Sequence, residues 1–387
     1  MKIAVFGGSF DPVHIEHIRL ARAAIEELAL DKLFVMPAHT PPHKQGKEIS
    51  SDVDRLQMCK LAFLNDEKVE VSDYEIAKGG TSYTYLTCQY FKEAYPQADE
   101  IFWIVGTDML RNFPNWKNPE NILENVTLAV CSRDEKQADW QAIEQEKFFA
   151  RFGKKFRYFS YQGADVSSTK IRVLAGAGTD LTPFVEKKVA EYIHQKGLYE
   201  IDGAKAALAL EKSERQAHSL RVAELAAARG VKLGISEKKA IQAALFHDCA
   251  KNLTEGSPYL DGFVLEKEWG EVPKEVWHQY AGAYIAEKHF GITDEQVLDA
   301  IRYHTSGRPN MCELEKLIFL SDMLEAARNY DCVDELRALF WQGNSLDACL
   351  EEALYQTLLF LQRKKSKIYP LTQAAYEYMR DGKGREV

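Results

Sequence analysis

The 387-residue sequence holds no apolar run long enough to cross a bilayer, which excludes a helical membrane protein and any membrane partner read from hydropathy. Its apolar opening, Met1-Lys2-Ile3-Ala4-Val5-Phe6-Gly7-Gly8, is too short for a signal peptide and lacks a small-residue cleavage pattern, so a cytoplasmic protein is expected. No C-x-x-C occurs among the seven scattered cysteines, and their number is odd. Thiolate metal centres and disulfide frameworks are therefore set aside, and each cysteine is expected to be a small buried hydrophobe. Basic charge is also short: the net charge of -9 argues against a nucleic-acid binder, which needs positive surface to displace counterions. Small phosphorylated ligands stay open, because a few placed Lys and Arg residues suffice for them. There is no internal repeat and no low-complexity tract. The basic run Arg363-Lys364-Lys365-Ser366-Lys367 reads as a solvated face, and nothing in the sequence fixes an oligomeric state, so a homo-oligomer stays open.

What is present is a change of pattern halfway along. The length exceeds what one core supports, so two domains are expected. In the first half, Ile3 to Phe6, Leu33 to Met36, Val69 to Val71, Ile101 to Val105 and Leu128 to Cys131 read as strands. Between them Ile18, Ala21, Ile25 and Leu28 recur at helical spacing, and Leu86 to Ala94 reads as another helix. This alternation predicts an α/β Rossmann-like parallel sheet, with ligands beyond the carboxyl ends of its strands. From about residue 204 the chain turns all-α: helices are expected over 204–210, 217–229, 237–246, 274–289, 294–303, 314–328, 334–341 and 346–363. Gly197 to Gly203 is the expected boundary, giving domains of 1–200 and 204–387.

The opening strand runs into Gly7-Gly8-Ser9-Phe10-Asp11-Pro12-Val13-His14-Ile15-Glu16-His17. Glycines there let the backbone turn tightly and approach a phosphate. His14 and His17, three apart at a helix start, are expected to project from one face beside amides that favour anions. Two imidazoles so placed can donate hydrogen bonds to phosphoryl oxygens as charge develops, and a substrate phosphate needs no base to become a nucleophile.

This string resembles the H-x-x-H nucleotidyltransferases, and most closely the bacterial nicotinate mononucleotide adenylyltransferases. One departure is Glu16, where the usual pattern has glycine; its side chain either crowds the adenine or points aside. The resemblance covers about residues 1 to 200. It implies ATP with Mg²⁺ and nicotinate mononucleotide as substrates, and deamido-NAD and pyrophosphate as products. It assigns Gly7, Gly8, Ser9 and Phe10 to nucleotide binding, His14, His17, Lys44 and Arg172 to catalysis, and Ser167, Ser168 and Thr169 to the ATP phosphates. Lys44 would be delivered by the loop Pro41-Pro42-His43-Lys44, with His39 and His43 as weaker candidates. Trp116 would stack on the pyridine ring, backbone amides near Thr81 and Tyr83 would bind its carboxylate, and Asp108 would accept from ribose hydroxyls. Other adenylyl or cytidylyl transferases that use the same loop remain alternatives.

In the second half His218, His247, Asp248, His278, His304 and Asp322 fall on successive predicted helices. All are nitrogen or oxygen donors, suited to hard or borderline divalent metals. The pair His247-Asp248 follows the apolar run Ala243 to Phe246, and an acid and an imidazole entering a core need a partner. The set resembles the HD-domain metal-dependent phosphohydrolases, and in its local strings the subgroup that cleaves diadenosine tetraphosphate symmetrically to two ADP. By that resemblance one metal takes His218, His247, Asp248 and Asp322, and a second takes His278 and His304, with Asp248 bridging and also serving catalysis. Iron is the implied pair, and Lys251, Arg308 and Arg328 are candidates for substrate phosphates. Hydrolysis of another nucleotide, or a nucleotide sensor without turnover that regulates the transferase, are the alternatives.

Overall fold

Burial runs continuously through the strands of the first half, as in a sheet covered on both faces, and alternate positions of each strand supply one shared core. Ile3 and Val5, Phe34 and Met36, Ile101, Trp103 and Val105, and Leu128 and Val130 make one apolar cluster with Cys88, Phe91, Ile122 and Phe148 from helices laid over them. The computed structural model describes residues 1–40, 49–132, 138–254 and 256–382. Among these, six strands form one parallel sheet: β1 (Lys2–Gly8), β2 (Lys32–Pro37), β3 (Val69–Val71), β4 (Glu100–Gly106), β5 (Thr127–Ser132) and β6 (Arg157–Ser160). Their order is β3-β2-β1-β4-β5-β6. The order reverses between β1 and β4, which pair directly, and that crevice is where an open parallel sheet of this kind takes ligands.

All five expected strands are present. The sequence reading misses β6, because only Phe159 of its four residues is fully buried and the edge position tolerates Arg157 and Ser160. The helices it does not name include Asp52–Ala62, Ala138–Phe152 and Lys187–Lys196.

The chain divides into two units: residues 1–171 with 181–198, and residues 172–180 with 199–387. The second unit is helical. Two helices, Ser213–Gly230 and Glu237–Phe246, meet through small residues: Ala223, Ala226 and Ala227 on one and Ala240, Ala243 and Ala244 on the other are wholly buried. A Cβ on Gly230 would stand 3.0 Å from Leu317, so this crossing too depends on a missing side chain. Truncating Leu317 to alanine should open a cavity at that crossing and cost about 2–5 kcal/mol of stability, read as a lower urea midpoint for loss of helical circular dichroism.

The helix expected over 314–328 stops at Leu324. Glu325 leaves helical geometry, and its carboxylate accepts from the Ala327 amide at 2.8 Å. A further helix, Pro370–Arg380, lies beyond those the sequence reading names; its buried positions are only Thr372 and Ala375, a weak periodic signal. No described helix is long and apolar enough to cross a membrane.

Candidate active sites

Gly7 and Gly8 are still in extended backbone at the end of β1, and the residue with positive φ is Phe10, at 47°. Their lack of side chain serves packing: a Cβ on Gly7 would lie 3.0 Å from the Trp103 ring, and one on Gly8 3.1 Å from the Phe10 ring. The loop is held from outside by Arg55, which is fully buried and donates to the Ser9 carbonyl at 2.8 Å and the Ser50 carbonyl at 3.1 Å. Asp11, also buried, accepts from the Ser50 amide at 3.3 Å.

His14 is the N-cap of the helix Ile15–Glu27, and its amide donates to His17 Nδ1 at 3.1 Å. The two imidazoles stack with centroids 3.6 Å apart, and the Phe10 ring stands edge-on to His17 at 5.0 Å. Glu16 points aside. It is 2% exposed, and its carboxylate accepts from the Tyr161 hydroxyl, the Ala164 amide at 2.8 Å and Arg19 at 2.8 Å.

At the end of β4, Asp108 folds back so closely that a Cβ on Gly106 would lie 2.7 Å from its Oδ1. Trp116 follows the turn Phe113–Asn115, its ring 5.4 Å from Phe113. Thr81 bridges to Thr40, and the Tyr83 amide expected to receive a carboxylate is donated to the Thr81 carbonyl at 3.0 Å. Positive charge arrives there by another route: Lys117 Nζ sits 4.1 Å above the Tyr83 ring.

The helix Ser168–Gly176 begins beyond Ser167, whose hydroxyl accepts from the Lys170 amide at 3.1 Å. Ser168 donates to the Pro12 carbonyl at 2.9 Å, and Thr169 stands next to them, partly buried. Arg172, which the resemblance assigns to catalysis, is engaged with a carboxylate. Its guanidinium meets Glu237 through Nε at 2.9 Å and Nη2 at 2.6 Å, a bidentate geometry that fixes the side chain. His39 is paired with Asp52. Lys44 and His43 lie outside the described residues.

The second unit gathers all six candidate ligands. His218 comes from the helix Ser213–Gly230, His247 and Asp248 from the end of Glu237–Phe246, and His278 from Lys274–Lys288. His304 follows the helix Glu295–Arg302, and Asp322 lies in Glu313–Leu324. Their donor atoms fall into three groups, each within 4.8 Å: His218, His247 and Asp248; Asp248, His278 and His304; and His247, His304 and Asp322. Asp248 Oδ1 lies 3.2 Å from His278 Nε2 and 3.5 Å from His304 Nε2, while Asp322 Oδ1 lies 2.9 Å from His218 Nε2.

Three imidazoles are oriented by a bond on the far nitrogen. Nδ1 faces the Ala244 carbonyl at 2.6 Å in His247, the Ile301 carbonyl at 2.8 Å in His304, and Glu325 at 3.2 Å in His218. A proton placed on Nδ1 leaves the Nε2 lone pair aimed into the cluster. There His218 Nε2, His247 Nε2 and Asp248 Oδ1 are buried and make no hydrogen bond. Buried acceptors converging without donors are what a divalent cation satisfies, so the residues fit metal ions.

The electrostatics agree. Burial works against a charged His247, yet Asp248, Asp322 and Glu211 outweigh it and raise its pKa to about 9. Burial, with His304 and Lys251, lowers His278 to about 4. Burial opposes the anions too, but the surrounding imidazoles and Arg328 hold the carboxyls of Asp248 and Asp322 well below the usual range. At neutral pH the two carboxylates are therefore ionised and His278 is neutral, while His247 without a metal holds a proton that a bound cation would displace.

Lys251 belongs to the cluster, 3.8 Å from Asp248 and 3.0 Å from His278 Nε2. Arg328 donates to Asp322 at 2.6 Å. Arg308 is taken up by Glu315 at 2.6 Å and Asp299 at 2.8 Å, neither of them a cluster residue. Two residues of the site are absent from the sequence reading: Arg215, 2.9 Å from Asp248, and Glu325 behind His218. Helical spacing could have found Arg215, which precedes His218 by one turn of the same helix.

Comparison with known proteins follows the same division. Residues 5–174 match the family described as cytidylyltransferase-like, and residues 215–327 match the HD domain. A Clostridium tetani protein named "Probable nicotinate-nucleotide adenylyltransferase" is 36% identical over 198 residues, 51% of this chain and 98% of that protein. A Mycoplasma genitalium protein named "Probable nicotinate-nucleotide adenylyltransferase/Ap4A hydrolase" is 29% identical over 85% of this chain and 89% of its own. A solved Clostridium acetobutylicum structure, described as a predicted HD superfamily hydrolase involved in NAD metabolism, is 32% identical. It covers 46% of this chain and 95% of its own, with a TM-score of 0.41.

Proposed function

The chain belongs to the nicotinate-nucleotide adenylyltransferase family and carries an HD domain behind that half, and from this premise we propose a cytoplasmic bifunctional enzyme. Its first half transfers AMP from Mg²⁺-bound ATP to nicotinate mononucleotide. A 5′-phosphate oxygen of the mononucleotide attacks the α-phosphorus of ATP, the bond to the β-phosphate breaks, and deamido-NAD and pyrophosphate leave. The stacked pair His14 and His17, at the point where the sheet reverses order, donates to the phosphoryl oxygens as charge accumulates. Ser167, Ser168 and Thr169 flank the phosphates, Asp108 takes the ribose, Trp116 stacks on the pyridine ring, and Lys117 above Tyr83 meets its carboxylate. Lys44 completes the phosphate contacts.

The second half hydrolyses diadenosine tetraphosphate with one water to two ADP. Convergence of six nitrogen and oxygen donors around Asp248 is the observation that carries this reading. His218, His247, Asp248 and Asp322 would hold one ion and His278 and His304 the other, with Asp248 common to both. When bound, a divalent pair, for which we take iron, supplies a nucleophilic hydroxide and polarises the attacked phosphoryl group. Lys251 is within reach of substrate oxygens once a cation takes up the charge of Asp248.

Metal analysis of the purified protein, with both reactions assayed on the same preparation, tests the proposal. Expected are two equivalents of metal, deamido-NAD from ATP and nicotinate mononucleotide, and ADP from diadenosine tetraphosphate. Preference for nicotinamide mononucleotide or another acceptor would overturn the first half; ADP release that persists after the metal is stripped would overturn the second. Glu325→Gln is expected to weaken metal binding by about 10–100-fold, because it loosens the carboxylate that orients His218. Competition with a chelator reads this directly.

A further inference from the structure

Glu16 occupies the first turn of the helix that carries His17. It is bound on both carboxylate oxygens. Oε1 meets Arg19 at 2.8 Å, while Oε2 accepts from the Tyr161 hydroxyl and from the Ala164 amide at 2.8 Å. The fit is tight on the receiving side. A Cβ on Gly163 would stand 2.7 Å from that same Oε2 and 2.8 Å from the Tyr161 ring, so a side chain at residue 163 would force Glu16 or Tyr161 to shift. Three residues beyond Ala164 the chain enters Ser167, Ser168 and Thr169, and Ser168 is tied to the Pro12 carbonyl at 2.9 Å. The segment is thus fastened to the histidine loop at two points, one of them a buried carboxylate.

We propose that Glu16 is a positioning residue for adenylyl transfer: it latches the segment 161–164 to the first turn of the histidine helix. The latch sets the spacing between the imidazoles of His14 and His17 and the hydroxyls of Ser167 to Thr169, which face the two ends of the ATP triphosphate. This inference rests on the adenylyltransferase reading of the first half. A carboxylate bonded to a tyrosine hydroxyl and a backbone amide is a stiffer tie than solvent contacts, and small losses of geometry at a phosphoryl-transfer site are costly.

The test uses the full-length protein and four variants, Glu16→Ala, Glu16→Gln, Tyr161→Phe and Gly163→Ala. Steady-state kinetics in ATP and in nicotinate mononucleotide are combined with calorimetric binding of MgATP. Glu16→Ala should raise the KM for ATP about tenfold while the KM for nicotinate mononucleotide stays within about twofold. Glu16→Gln, which keeps an acceptor oxygen, should recover most of the loss. Gly163→Ala should reproduce it with Glu16 intact, and Tyr161→Phe should give a smaller rise. Unchanged ATP parameters in Glu16→Ala, or equal losses in both substrates with no rescue by Gln, would overturn the latch. If wild type binds MgATP but transfers to a different acceptor, the assignment of nicotinate mononucleotide fails and the MgATP affinities of the variants still decide the latch. A wild type that binds no MgATP overturns both.

Discussion

Substitution of Asp248 by asparagine or alanine is expected to strip the second unit of metal and to lower ADP release from diadenosine tetraphosphate by at least about a thousandfold, on the order of 4 kcal/mol of transition-state stabilisation. The size follows from its place in the cluster. Asp248 belongs to two of the three donor groups, sits 1% exposed, and faces His278 and His304 with one oxygen and Arg215 with the other. Its loss removes a ligand from both proposed ions at once and leaves Arg215 and Lys251 without their shared anion. Elemental analysis together with ADP release measures the effect, and adenylyl transfer by the same preparation reports that the protein is folded. Hydrolysis at the wild-type rate by a metal-depleted Asp248→Asn protein would sink the dinuclear reading.

His14→Ala is expected to have the mirror effect, lowering kcat for adenylyl transfer by about 10²–10³-fold while diadenosine tetraphosphate hydrolysis is untouched. His14 is both the cap of its helix and one face of the imidazole stack. A control is therefore needed for the cap. His14→Asn retains a capping side chain, and if the transfer rate returns with it, the imidazole is structural and the proposed role fails. Persistent loss in both variants, with unchanged thermal unfolding, is the outcome expected of a group that meets the reacting phosphate.

The sheet and the helical half were legible because buried strands and amphipathic helices write their periods into the sequence. β6 was not, since an edge strand with one fully buried residue carries almost no period. The metal-type cluster was legible at the level of residue identity: histidine and aspartate entering apolar helices are costly alone, and all six do converge. The residues that orient them were harder to read. Glu325 is set beside His218 by tertiary packing across 107 positions, and no local pattern announces a pair so far apart in the chain. Arg172 shows the same limit: the resemblance gives it a catalytic role, and no local pattern announces that its guanidinium meets Glu237, 65 residues on. Glu16 stood out in the sequence only as an anomaly. Its meaning required the partner segment at Tyr161 to Ala164.

Two of the oriented histidines, His247 and His304, stand just past the end of a helix and bond a carbonyl three residues back, Ala244 and Ile301. Helix ends leave such carbonyls without amide partners, so each imidazole is aligned by backbone that any sequence forming that helix would supply. His218 has no such arrangement and depends on a carboxylate side chain. Under mutational drift the first two arms tolerate replacement of every neighbouring side chain, whereas the third fails with one. A library of variants randomised around the cluster should accordingly contain many proteins that have lost the His218 arm and few that have lost His247 or His304, and descendants of this chain that decay would pass through a one-metal form.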